Sequence, residues 1–168
     1  MSDMLTRFEP VPTESHIADG VTITLAPPMA RYSLRARQVQ ALETLLATEL
    51  PHKIGTTLGN IMCLGPDEWM LRGETGAVIP QSTDLPVAIT DVSDRAICII
   101  IDGPRAAEIL MSGCPLDLDN FAVGRATRTI FETVEIILIH TADHCFHVEV
   151  WRSFAPWLWT ALTTASDH

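Results

Sequence analysis

Val21-Thr22-Ile23-Thr24-Leu25 alternates apolar with polar side chains and runs into Pro27-Pro28, the period-two pattern of a half-exposed strand. Val39, Leu42, Leu45, Leu46 and Leu50 recur instead at helical spacing, opposite Gln40, Glu43, Thr44 and Glu49, and predict a helix from Gln38 to Leu50 that Pro51 ends. Asn60 to Leu64 and Glu68 to Leu71 flank the turn-forming Gly65-Pro66-Asp67 and read as a hairpin. Val87 to Val92 and Arg95 to Ile101 predict two further strands, the second apolar on both faces and therefore central in its sheet. Pro104 suits the first position of a short helix, continued by Ala107, Ile109 and Leu110 and stopped at Gly113. Thr127 to Phe131, Val134 to Ile139 and His144 to Trp151 then predict an antiparallel meander. Ser153 caps a last helix, whose core stripe is expected to be Phe154, Leu158, Ala161, Leu162 and Ala165. At ~100° per residue, Trp159 would then point ~120° away from that stripe.

These elements predict an α+β fold, a mostly antiparallel sheet with three main helices, in a single domain over residues 20–168. Residues 1–19, with Pro10, Pro12 and four carboxylates, read as an N-terminal arm poorly ordered alone. A chain of 168 residues, 47% of them hydrophobic, is long enough for one substantial core. Eleven Lys and Arg against 21 Asp and Glu give a net charge of −10, which repels nucleic acid and anionic membranes alike. Cys63, Cys98, Cys114 and Cys145 lie far apart with no CxxC pair and read as reduced thiols, pointing to the cytoplasm. The longest apolar run, near Ala96 to Ile101, falls far short of the ~20 residues that span a bilayer.

No GxGxxG, P-loop, HExxH or GxSxG string occurs. The densest set of potential ligands is His140, His144, Cys145 and His147, where a hairpin could gather His140, Cys145 and His147 on one face for a transition metal. The competing reading is a strand populated by neutral imidazoles and a small thiol. Asp117-Leu118-Asp119-Asn120 opens like a calcium loop, but its fifth and twelfth positions are Phe121 and Arg128, which excludes that site. Asp91, Asp94 and Arg95 stand at a strand junction, where carboxylates usually cap backbone N–H groups. Cys114 has no neighbouring cation to stabilise a thiolate. Among the tryptophans at 69, 151, 157 and 159, the off-stripe Trp159 is the expected interface anchor.

Several strings occur in order: Leu64-Gly65-Pro66-Asp67-Glu68-Trp69-Met70-Leu71, Asp91-Val92-Ser93, Gly103 to Leu110 (GPRAAEIL), Gly113 to Leu118 (GCPLDL) and Arg152-Ser153-Phe154-Ala155. Together they resemble the gamma subunit of heterotetrameric sarcosine oxidase, and Tyr32-Ser33-Leu34-Arg35 is similar to that family's short strand before its first helix. The resemblance implies a fold akin to the folate-binding region of glycine-cleavage T proteins. It further implies a non-catalytic role beside alpha, beta and delta subunits, in an assembly that oxidatively demethylates sarcosine to glycine and passes the one-carbon unit to tetrahydrofolate. By the same resemblance FAD, FMN, NAD and tetrahydrofolate belong to other subunits, and a zinc to the smallest. No cofactor, catalytic residue or metal is thereby assigned to this chain. The alternatives are a stand-alone folate-dependent aminomethyl transfer module, or a small metal-binding protein built on His140, His144 and His147.

Overall fold

The computed structural model describes residues 8–76, 79–80 and 84–168, so residues 1–7 of the expected arm lie outside it. The antiparallel pairing and three helices match the expected class, but the strands divide into two sheets. The larger contains β1 (His16–Ala18), β2 (Val21–Leu25), β8 (Ala96–Asp102), β9 (Ala126–Phe131), β10 (Val134–Ala142) and β11 (Cys145–Trp151), in the order β1-β2-β8-β11-β10-β9. The smaller contains β3 (Ala30–Ala36), β4 (Thr57–Leu58), β5 (Ile61–Gly65), β6 (Glu68–Gly73) and β7 (Val87–Asp91), in the order β4-β5-β6-β3-β7. One continuous stretch thus builds the smaller sheet and is inserted between β2 and β8, which pair with each other from Thr22↔Asp102 to Leu25↔Ile99.

Alternation decides which side chains each face buries. On the larger sheet Ile23, Ile97, Ile99, Ile101, Ile136, Leu138, Val148 and Val150 point to one face, covered by α2 (Ala106–Met111) and α3 (Ala155–Ser166). Each fully buried aliphatic side chain there is worth ~1.5–3 kcal/mol. β8 is central, as its two-sided apolar character predicts, with β2 and β11 on either side. On the smaller sheet Tyr32, Leu34, Cys63 and Trp69 pack with Leu42 of α1 (Val39–Leu46) and Leu50, and Trp69 Nε1 donates to the Pro51 carbonyl at 2.8 Å. α1 is shorter than its pattern because Ala47 adopts a left-handed backbone at φ 51° and ends it there.

Part of the expected arm is structured: β1 pairs with β2, Val11 is buried in the main core, and Arg152 holds the Phe8 carbonyl and the Glu9 carboxylate. On α3 the buried residues are Ala155, Leu158, Trp159, Leu162 and Ser166, a stripe rotated from the expected one. Trp159 is therefore only 8% exposed and belongs to the core, which corrects its reading as an outlying interface anchor. Phe154 precedes the first helical residue and stands 46% exposed, together with Trp151 at 41% and Trp157 at 40%.

Candidate functional site

The inner faces of the two sheets meet over a thin apolar layer of Met62, Met70, Ala126 and Ile139, with Leu64 and Ile137 against it, and a charged cluster lies beside that layer. Arg31 and Arg72 lie directly opposite one another on β3 and β6. Like charges in that relation repel. Glu149 reaches between them from β11: Arg31 Nε donates to Oε2 at 2.5 Å and Arg72 Nη1 to Oε1 at 3.3 Å. Arg31 also donates to the Met29 carbonyl at 3.1 Å, which helps to satisfy a guanidinium whose residue is 2% exposed. His147, two residues before Glu149 on the same face, accepts from Arg72 Nη1 through Nδ1 at 3.2 Å. Burial, reinforced by the Arg72 charge, pushes His147 down to about 4, so its ring is neutral at physiological pH. Cys98, paired with Glu149 across β8 and β11, is pushed far up by burial and by that carboxylate, and stays a thiol.

A cleft of about 110 Å³ opens beside this cluster, lined by Arg31, Ser33, Trp69, Arg95, Glu149 and Trp151 among others. At its other wall Glu68 of β6 accepts two bonds from Arg128 of β9, at 2.8 and 3.1 Å, and lies 3.3 Å from Arg35. The Arg128 hydrogen bond holds the Glu68 carboxyl below its ordinary range. Arg95 stacks over Trp151 with its guanidinium carbon 3.9 Å from the ring centroid. Glu149, bound to Arg31 and Arg72, and Glu68, bound to Arg128, thus spend lone pairs on guanidinium groups of the opposite sheet, a chemistry that clamps the sheets together rather than moving protons. A third link is backbone-based: Arg125 Nε donates to the Gly55 carbonyl at 2.7 Å.

The histidine set is dispersed. His140 pairs with Phe146, stacks on its ring at 4.2 Å, and donates through Nδ1 to the Phe121 carbonyl at 2.5 Å. Because His147 pairs with Ile139, the next residue along β10, it faces the opposite side of the sheet from His140. His144 sits at φ 58° in the turn, and Cys145 follows it half-buried. The hairpin therefore does not gather His140, Cys145 and His147 on one face, and among the described residues no three His, Cys, Asp or Glu side chains converge on a metal position. Asp91 accepts from Ser93 N–H at 2.9 Å and from its hydroxyl at 2.5 Å, which lowers its carboxyl, while Cys114 is buried. The inter-sheet cluster itself escaped sequence reading, since Arg31 and Arg72 occupy positions that alternation assigns to a polar face.

Two antiparallel sheets clamped by charge, with helices on their outer faces, define an α+β fold. The T protein of the glycine cleavage system of Bartonella henselae superimposes at a TM-score of 0.62 over 85% of this chain and 45% of its own, with 13% identity, a likeness of fold. The sarcosine oxidase, gamma subunit family matches over residues 29–168, and the chain belongs to that family. Sarcosine oxidase subunit gamma of an Arthrobacter species is 28% identical over 120 residues, 64% of this chain, and this chain spans 59% of that relative's length. The Corynebacterium strain P-1 subunit gamma is 27% identical over 139 residues, covering 73% and 68% of the two chains. In the heterotetrameric sarcosine oxidase of Corynebacterium sp. U-96, in complex with pyrrole 2-carboxylate, one chain superimposes at a TM-score of 0.82 with 25% identity, covering 92% of this chain and 87% of that one. Among the described residues no helix is long and apolar enough to cross a membrane.

Proposed function

We propose that this chain is a non-catalytic subunit of a heterotetrameric sarcosine oxidase. The assembly demethylates sarcosine oxidatively to glycine in the cytoplasm and passes the one-carbon unit to tetrahydrofolate. Alpha, beta and delta subunits are its partners and carry FAD, FMN, NAD, tetrahydrofolate and zinc. The observation that carries the reading is the family match over residues 29–168. The inter-sheet site supports it: its inward carboxylates, Glu149 and Glu68, are committed to guanidinium groups, and its histidine is held neutral against Arg72. The chain's contribution is then shape and surface for larger partners.

Co-expression with those subunits tests the proposal. The chain should co-purify with flavin-bearing chains and raise their sarcosine-dependent activity or their stability, whereas recovery as a lone chain would overturn it. Calorimetric titration of the isolated chain with tetrahydrofolate separates the rival reading of a self-sufficient transfer module, for which saturable binding is required.

A further inference from the structure

Arg31 spends only part of a buried guanidinium. Its side chain is 3% exposed, yet among the described residues that guanidinium reaches two acceptors, Glu149 Oε2 and the Met29 carbonyl. An arginine carries five N–H donors, and buried donors without an acceptor are costly. Arg31 lines the cleft of about 110 Å³ between the sheets, where an acceptor can reach it. It also borders a second cavity, whose described walls add no other cation and bring Glu9 instead. The carboxylates of the inter-sheet cleft are already engaged: Glu149 holds Arg31 and Arg72, Glu68 holds Arg128 and Arg35, and Glu135 shares Arg128 at 3.5 Å. The donors are not. Arg95 lies over the Trp151 ring and, among the described residues, makes no hydrogen bond or ion pair through its guanidinium. Ser33, on the Arg31 face of β3, likewise leaves its hydroxyl unpaired among the described residues. The cleft is therefore short of acceptors.

We propose that this cleft binds a small organic acid, whose carboxylate accepts from Arg31 and Arg95 and whose apolar body lies against Trp151. The site goes beyond the subunit reading and does not depend on it. Charge permits an anion there. Counting Asp67, which Arg35 also meets, five guanidinium groups stand with four carboxylates in this network, within a chain whose net charge is −10. The planar guanidinium fork suits a carboxylate or a phosphate. Leu64, Val92, Ile136 and Val150 select the organic ligand, because inorganic phosphate would leave their apolar surface uncovered. A volume of about 110 Å³ lies below the roughly 300 Å³ at which drug-sized sites begin, so the ligand has one ring or a short chain and is not a nucleotide.

Benzoate is the probe. Titrated into the isotope-labelled full chain, it should shift the Trp151 indole N–H resonance, identified by its loss in Trp151→Phe, and saturate with a dissociation constant of about 1 mM or below. Benzamide, which has the ring without the charge, and inorganic phosphate should each bind about ten-fold more weakly or worse. Arg95→Gln should weaken benzoate about ten-fold. Arg37→Gln removes the same charge from an exposed residue outside the cleft wall and should leave binding unchanged. Both side chains are exposed, so circular dichroism and thermal midpoints of the variants should match the parent. The absence of a saturable shift overturns the proposal, as does benzamide binding equal to benzoate or undiminished binding by Arg95→Gln. Equal weakening in Arg37→Gln also overturns it, since the effect is then one of net charge. Phosphate binding as tight as benzoate overturns the choice of an organic acid. The comparison of the three probes on the parent holds whatever the variants do.

Discussion

Arg31 Nε stands 2.5 Å from Glu149 Oε2, with the two side chains 3% and 2% exposed and each drawn from a different sheet. A buried pair of this kind adds little net stability compared with apolar residues of similar volume, but losing one partner strands the other. Its effect here is positional, because the single carboxylate also holds Arg72 and so fixes how the two sheets face each other.

Glu149→Leu should destabilise the chain by about 3–5 kcal/mol, since Arg31 then keeps its charge in a dry seam. The double variant Arg31→Met with Glu149→Leu should recover the part due to Arg31, while the part due to Arg72, which also loses its carboxylate, remains. Urea midpoints of the parent, both single variants and the double variant measure the coupling.

His147 gives the seam an acid limit. Its folded value of about 4 lies below its ordinary 6.5, so the unfolded chain binds more protons between those values. Its contribution is complete above pH 6.5 and is lost as the pH falls toward 4, with a slope of at most about 1.4 kcal/mol per pH unit. Glu68, held low by Arg128, adds a further loss below its ordinary 4.5. His147→Gln should flatten the stability curve between pH 6.5 and 4 while leaving the steeper fall at lower pH, as read from unfolding curves across that range.

Two glycines differ in what surrounds them. A Cβ on Gly113 would meet the Phe131 ring at 2.5 Å, whereas one on Gly103, at φ 133°, would meet the Gly20 carbonyl oxygen at 2.4 Å and Val21 Cα at 2.9 Å. A ring shifts more readily than a paired backbone. Gly113→Ala should cost about 1–3 kcal/mol and Gly103→Ala more, and thermal midpoints of the two variants will rank them.

Trp159 is buried on α3 and Trp157 is exposed. Trp159→Ala should cost the isolated chain about 3–5 kcal/mol, because it empties part of the core. Trp157→Ala should cost no more than about 1.5 kcal/mol, mainly its edge-on contact with Phe131. Denaturant unfolding of each variant distinguishes them.

Much of the architecture was legible because the signals are local. β2, β5 and β6, β8 and the β9–β11 meander announce themselves by alternation and by the turns beside them. The error on α3 is one of phase: anchoring its stripe on Phe154 counted a residue that lies before the helix, and the rotation placed Trp159 outside. The second sheet and its charged seam were not legible. β3 alternates cleanly, with Tyr32, Leu34 and Ala36 on one face, but Arg31 and Ser33 on the other read as solvent-facing. Nothing near Arg31 in the chain announces that its partner is Glu149, 118 positions away. Family strings supplied what local pattern lacked, since Tyr32 to Arg35 was read as a strand through resemblance alone.

The insertion of the smaller sheet between β2 and β8 imposes an order on the ribosome. Leu25 cannot meet Ile99 until the whole intervening stretch has been synthesised, so the nascent N-terminal strand waits with its hydrogen-bonding edge open. Truncated products ending before Ile97 should therefore accumulate as sticky, chaperone-bound fragments, whereas chains extended past β8 can close the larger sheet's first seam.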